Sequence, residues 1–460
     1  MTTLLLPSTA RTLDDLLSGA QSASRLPSVV AGLVRDGELV WTGAAGTTGV
    51  PGDPGPETQY RIGSITKTFV AAAVLRAVED GLVGLEDPVR AHLPELTDGV
   101  GRVTVGQLLG QAGGVQAETD GPWWERTPGG DWASLVPLLG EGAVRHRPGT
   151  RFHYSNVGFG VLGELVARVR SAPWHEVVHA QFLEPLAMAR TSLRPQAPAA
   201  QGLAVHPWAD VVLPEPEHDA GAMAPAGQIW STVLDLARWA VVVAGNSPVL
   251  QRATVESMWE PQSVDDTRGG AWASGYGLGL QVWNAGGRRF AGHSGSMPGF
   301  VAMLRVDVAT GDAVIALTNS TTGFGDLPAR LLSTLRETEP HPPVPWVPRE
   351  VPADVLELVG PWYWGPAPLL VRASATGFEL AGMHGSGRGS RFVRERVVAG
   401  EQVWRGLDHY YAGELLRPVR GGDGAVSHLD LASFRLTRTP YDPAADVPGG
   451  VDGRGWTPLS

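Results

Sequence analysis

Tyr60-Arg61-Ile62-Gly63-Ser64-Ile65-Thr66-Lys67-Thr68-Phe69-Val70 is the stretch from which the rest of this 460-residue chain can be read. The chain carries 36 lysines and arginines together, and Lys67 is the only lysine among them. Arginine replaces lysine as a surface cation without loss. It cannot release its proton at a useful pH, whereas a buried lysine can. A single lysine three residues after Ser64 therefore reads as a proton acceptor or donor beside a hydroxyl. Apolar residues at Phe69, Val70, Ala73, Val74, Ala77 and Val78 follow helical spacing, and Gly81 ends the run. Ser64 is thus expected at the start of a buried helix with Lys67 one turn on. Residues i and i+3 share a helix face, their Cβ atoms roughly 5–6 Å apart. Burial and the positive helix N-terminus disfavour the ammonium, and the same N-terminus favours an alkoxide on Ser64, the conditions of an activated serine nucleophile.

Two further segments carry polar groups of the right kind. Arg147-Pro148-Gly149-Thr150-Arg151-Phe152-His153-Tyr154-Ser155-Asn156-Val157-Gly158 precedes a helical run to Val169, and in an extended chain Tyr154 and Asn156 point the same way. Gly292-His293-Ser294-Gly295-Ser296 precedes a strong strand, and glycine at a strand edge lets a substrate backbone approach. Each segment alone has an ordinary reading, as a capped helix or a loop histidine. Their joint presence in this order is what points to chemistry.

Composition bounds the rest. A hydrophobic content of 43% is that of a soluble globular protein, and a net charge of −11 argues against nucleic acid or an anionic membrane as partner. With no cysteine, disulfides, thiolate zinc sites and cysteine catalysis are excluded. No cofactor or metal is expected. The start, Met1-Thr2-Thr3-Leu4-Leu5-Leu6-Pro7, lacks a basic region and a long apolar run, so a cytoplasmic location is expected.

An α+β unit is expected over residues 1–338, with a first helix at 13–23 and strands at 29–35 and 38–45 joined by Asp36-Gly37. A helical middle follows, then strands at 279–284, 300–307 and 313–319 and a helix at 326–337. Residues 339–352 hold six prolines and read as a stiff linker. Residues 353–442 alternate in short runs at 369–373, 377–380, 391–394, 402–405, 415–420 and 433–438, the pattern of a small all-β meander or barrel. A Pro/Gly-rich tail, 443–460, carries Arg454 and Trp456.

Ser64-Ile65-Thr66-Lys67, Tyr154-Ser155-Asn156 and His293-Ser294-Gly295 together resemble the S-x-x-K, Y-x-N and K/H-[TS]-G signatures of the serine β-lactamase and penicillin-binding-protein superfamily, in its class C-like branch. Lesser agreement runs through residues 103–109, 185–188 and 225–232. The resemblance covers about residues 10–335 and implies that Ser64 is acylated. It further implies that Lys67 and Tyr154 share the proton traffic, that Asn156 bonds Lys67 and the substrate amide, and that the backbone N–H groups of Ser64 and Ser296 form an oxyanion hole. His293 stands where β-lactamases usually have lysine, which weakens carboxylate anchoring. Gly295, Trp230 and Arg454 are further substrate-binding candidates. Trp123, Trp124 and Trp132 can line a cleft, though core packing is the expected role for at least half of these tryptophans.

The superfamily does not fix the substrate. A stand-alone penicillin-binding-protein-type thioesterase is the preferred reading: a class C-like domain with histidine third and a small C-terminal lipocalin-like domain. It would off-load and macrocyclise a nonribosomal peptidyl thioester with a D-configured last residue, delivered by a peptidyl carrier protein. The alternative is a cytoplasmic esterase or D-amino-acid peptidase or amidase. A secreted β-lactamase is disfavoured by the N-terminus, and a catalytically dead binding protein by the presence of both Ser64 and Lys67.

Overall fold

The computed structural model describes residues 5–266, 269–343, 345–383, 388–395 and 402–440. The chain divides into two compact units between Pro342 and Pro343.

In the first unit, β1 (Ser28–Arg35) reads Ser-Val-Val-Ala-Gly-Leu-Val-Arg and is buried along almost its whole length, so both faces of the sheet are covered. It turns into β2 (Glu38–Gly46) through Asp36 and Gly37, both at positive φ, as a two-residue hairpin with right-handed strand twist requires. The remaining strands of this sheet are β3 (Ser263–Val264), β4 (Ser274–Tyr276), β5 (Gln281–Ala285), β6 (Arg288–Met297), β7 (Phe300–Asp307) and β8 (Ala313–Thr318). The sheet order is β2-β1-β8-β7-β6-β5-β4-β3, antiparallel throughout. Val29 lies opposite Thr318, so the first strand of the chain pairs with a strand nearly three hundred residues later.

Period-two alternation then sorts the core. Val29, Ala31 and Leu33 face α1 (Pro7–Ala23) and α5 (Leu327–Thr338), packing on Leu13, Leu17, Leu327, Leu331 and Leu335. Val30 and Val34 face the other way, toward α2 (Thr66–Glu79), α3 (Asn156–Arg170) and α4 (Val233–Val243). Helix α2 is buried from Thr66 to Leu75 without interruption and is apolar around its whole circumference, the mark of a core helix. Phe69 stacks on Trp239 of α4 at 4.1 Å, and the Trp239 Nε1 donates to Thr68 Oγ1 at 2.8 Å.

The helices and hairpin fall close to their expected places, and strand β7 coincides with its expected range. Strand β6 was not expected as a strand. Its sequence, Arg-Arg-Phe-Ala-Gly-His-Ser-Gly-Ser-Met, lacks apolar alternation, and pairing with β7 along Phe290–Met297 overrides that weak propensity. The third motif therefore lies inside a strand rather than before one.

In the second unit, strands β9 to β16 run Gly360–Trp364, Ala367–Ala373, Gly377–Gly382, Ser390–Arg394, Trp404–Gly406, Leu415–Arg420, Val426–Leu431 and Phe434–Thr437, and close into an eight-stranded barrel. The first and seventh of these strands were not anticipated. The interior is packed by Trp362, Phe378, Phe392, Trp404, Leu416 and Leu429. Arg454, Trp456 and the rest of the tail lie outside the described residues. Among the described residues no helix is long and apolar enough to cross a membrane.

Replacing Trp239 by alanine removes the ring stacked on Phe69 and should cost about 3–5 kcal/mol. Urea unfolding of Trp239→Ala against wild type checks this.

Candidate active site

Ile62 and Gly63 bring the chain off a short strand into a single 3₁₀ turn, Gly63–Ile65, on which Ser64 sits immediately before α2. Gly63 has φ of +53°, and a Cβ there would lie 2.5 Å from the Ser296 nitrogen. A Cβ on Gly295 would lie 1.9 Å from the Ile62 carbonyl oxygen and 3.0 Å from the Ser64 nitrogen. Two glycines thus let β6 lie directly against the nucleophile turn, bringing the backbone amides of Ser64 and Ser296 side by side. Strand β5 stops pairing with β6 at Gly292, and beyond it the Ser294 N–H donates to Gln281 Oε1 at 2.8 Å.

Lys67 is fully buried. Its Nζ lies 2.9 Å from Ser64 Oγ, 2.6 Å from Asn156 Oδ1 and 2.7 Å from the Ala226 carbonyl oxygen, and 4.9 Å above the Tyr154 ring. Burial lowers its pKa to about 7, while the carboxylates of Glu118 and Glu125 pull it upward. Tyr154 is pushed well above the usual phenol value by burial, with its hydrogen bond to Ser64 acting the other way. The phenol is therefore protonated at neutral pH.

Asn156 opens α3, whose N-cap Ser155 accepts from the Gly158 N–H at 2.9 Å and donates to the Gln116 carbonyl at 2.6 Å. Asn156 Nδ2 donates to Glu118 Oε1 at 2.6 Å, and Trp124 Nε1 donates to Glu118 Oε2 at 2.6 Å. The sequence reading had no place for Glu118. It stands outside all three motifs, and only its carboxylate geometry reveals it.

His293 is 1% exposed and its pKa falls to about 3, through burial first and the Lys67 charge second. Its Nδ1 faces the Ser294 carbonyl at 2.5 Å, which can only accept, so Nδ1 carries the proton. Nε2 then accepts from the Tyr276 hydroxyl at 2.9 Å, and Tyr276 is itself hydrogen-bonded by Gln111. Both ring nitrogens are occupied by protein, and the imidazole is neutral at working pH. Tyr276 and Gln111 belong to no motif and could not have been picked from the sequence.

The structure brings Ser64, Lys67, Tyr154 and Asn156 together, with His293 adjoining Tyr154 ring to ring at 6.2 Å. Trp230 is buried edge-on against Phe300 at 5.1 Å, with 2% of its surface left, and packs the core rather than a cleft. Trp124 is bound to Glu118, Trp132 donates to Glu95, and Trp123 is exposed beneath Arg126. Among the described residues no cluster of acidic residues and histidines could hold a metal ion.

Because Lys67 is the only lysine, ¹³C-lysine labelling should give one ε-carbon resonance in the folded protein. It should titrate near pH 7 rather than near the model-peptide value of about 10.4. A midpoint above 9 in an NMR pH series would refute this account of the site.

A family profile described as Beta-lactamase matches residues 13–336, and a second, a domain of unknown function (DUF7586), matches residues 351–438. The human putative beta-lactamase-like 1 is 29% identical over 254 residues, 51% of this chain and 49% of its own length. The chain spans about half the length of the curated relatives it matches. Among solved structures, SurE superposes with a TM-score of 0.60 at 23% identity, over 94% of this chain and 99% of its own. A D-stereospecific amidohydrolase from Streptomyces gives 0.60 at 25% identity, over 71% of this chain and 98% of its own. With the family profile spanning the whole sheet and its helices, and the serine turn set against β6, the chain belongs to the beta-lactamase family of serine hydrolases and acyltransferases.

Proposed function

We propose that Ser64 forms an acyl-enzyme with Lys67 as its general base, and that the natural reaction off-loads and macrocyclises a nonribosomal peptidyl thioester ending in a D-residue. The observation that carries the first half is how the protons of Lys67 are committed. A neutral amine has two hydrogens and one lone pair. The Ala226 carbonyl can only accept, and Asn156 presents Oδ1, so both hydrogens are spoken for. The lone pair is left facing Ser64 Oγ, the third neighbour. In the ammonium form a third hydrogen would occupy that direction and block deprotonation of the serine. Acylation should therefore fall as pH drops through about 7, where Lys67 gains its proton.

In the proposed cycle Ser64 Oγ loses its proton to Lys67 and attacks the thioester carbon. The oxyanion meets the Ser64 and Ser296 amides, a pair of donors of the kind whose loss typically costs on the order of 2.7–4 kcal/mol. The C–S bond breaks, and the sulfur takes the proton from Lys67 by way of Tyr154. A peptide amine then attacks the ester, gives up its proton along the same route in reverse, and Ser64 leaves with a proton restored. Peptidyl thioester becomes cyclic peptide and free thiol.

Two observations support this substrate class. His293, neutral and fully engaged, supplies no cation for a carboxylate next to the scissile bond, which favours thioester, ester or amide donors over β-lactams and free-acid peptides. SurE, which shares the fold over nearly the whole chain, is also solved with D-Leu. The second reading is a D-amino-acid amidase or esterase, favoured by the likeness to the D-stereospecific amidohydrolase.

Peptidyl thioesters with a free amine, matched except for L or D configuration at the last residue, should separate these readings by mass spectrometry. A product one water lighter than the linear acid, formed from the D-series alone, is the expected result. Linear acid alone would move the assignment to the hydrolase. Lys67→Arg keeps a cation and removes the titratable amine, and should lower acylation at least about a thousandfold.

A further inference from the structure

The direction of the Lys67 lone pair depends on the orientation of the Asn156 amide. Rotated by half a turn, Asn156 would aim Nδ2 at Lys67, and the amine's lone pair would be drawn toward that N–H instead of toward Ser64. An amide alone does not favour either orientation. Something must hold it.

Glu118 does so. As a carboxylate it has acceptors only, and both are taken: Oε1 by Asn156 Nδ2 and Oε2 by Trp124 Nε1, each at 2.6 Å. Presenting the Asn156 oxygen to Glu118 would set two acceptors against each other in a partly buried site. That arrangement sets like poles against each other and forfeits a charge-assisted hydrogen bond. The indole holds the carboxylate in turn, since Trp124 is buried and its N–H donates to Glu118 Oε2. We infer that Glu118 is a positioning residue of the acyl-transfer site, a fixed acceptor that sets the Asn156 amide and through it points the Lys67 lone pair at Ser64.

This inference rests on the proposed acyl-enzyme reading and deepens it. Glu118 never touches the reacting atoms; it acts through Asn156. Its charge has a second, separable effect, because the groups facing Lys67 are Glu118, Glu125, the neutral His293 and the protonated Tyr154. Glu118 and Glu125 both hold the Lys67 pKa up, and removing one carboxylate must let it fall. Glu118 lies open to solvent, so the effect is screened and small.

Glu118→Gln keeps the shape and changes the donor pattern. A glutamine must put its NH₂ toward one of the two N–H groups it faces, so the Asn156 amide loses its fixed orientation. Charge and orientation then pull in opposite directions. Loss of charge moves the pH limb of acylation downward and by itself would raise the rate at pH 6.5. Loss of orientation lowers the plateau at high pH.

The experiment is the pre-steady-state burst of p-nitrophenyl acetate with the full chain, followed from pH 5 to 9, with the adduct on Ser64 verified by mass spectrometry. Glu118→Gln is expected to lower the plateau roughly ten- to a hundredfold and to shift the limb down. Burst amplitude and unfolding midpoint should stay close to wild type. Glu118→Asp, still acceptor-only, should fall between the two proteins. A wild-type plateau in Glu118→Gln overturns the proposal, as does a lost burst amplitude with an unmoved limb, which is the signature of a structural role. Glu118→Asp falling below Glu118→Gln overturns it too, by showing that length rather than acceptor character matters. Failure of the wild-type protein to give any Ser64 adduct would instead bring down the acyl-enzyme reading itself.

Discussion

Burying one primary amine so that two oxygen acceptors hold its hydrogens is the constraint on which this structure turns. The acceptors come from distant stretches, the Ala226 carbonyl and the Asn156 amide, and the third neighbour is the serine one turn upstream. Holding them at 2.6–2.9 Å requires a helix that cannot rock. Burial on every side of α2, with Phe69 clamped by Trp239, supplies that rigidity. The same burial brings the amine's pKa to about 7, so packing and reactivity have one cause.

The sheet contributes the opposite wall. Because β1 and β8 pair the early and late strands of the first unit, the intervening helices are trapped on one face, with α1 and α5 sealing the other. Strand β6 extends past its pairing with β5, and its Gly295-Ser296 stretch lies against the serine turn. Contact this close is possible only where Cβ atoms are missing, which explains glycine at 63 and at 295 in physical terms. An added methyl at either position would meet backbone, not a side chain able to move aside.

What could be read in the sequence followed from local rules. Helical periodicity after Thr66, the Asp36-Gly37 turn, the continuous apolar strands near both ends of the first unit and the proline-rich segment each declare themselves within a dozen residues. Ser64, Lys67, Tyr154 and Asn156 were recognisable because their spacing is fixed by single helical turns or a single extended step. Glu118, Tyr276, Gln111 and the Ala226 carbonyl were not, because each reaches the site through tertiary packing, and a backbone carbonyl leaves no trace in residue identity. Strand β6 was missed because pairing on both sides makes it a strand despite two glycines and a poor pattern. His293 was found, but its role changes: the ring is enclosed by Tyr276 and the Ser294 carbonyl, which no reading of composition could foresee.

The filled interior of the C-terminal barrel bears on what such an appendage can contribute. Eight-stranded barrels with an open bore act as containers, taking a hydrophobic guest down the axis. Here the bore is occupied by the protein's own rings, Phe378 stacked on Phe392 at 5.2 Å with Trp404 and Trp362 beside them. Among the described residues the interior is packed with side chains rather than left open. Whatever the barrel recognises must be met by its outer wall or by the loops at its rims, so its specificity is free to change without disturbing the core that folds it.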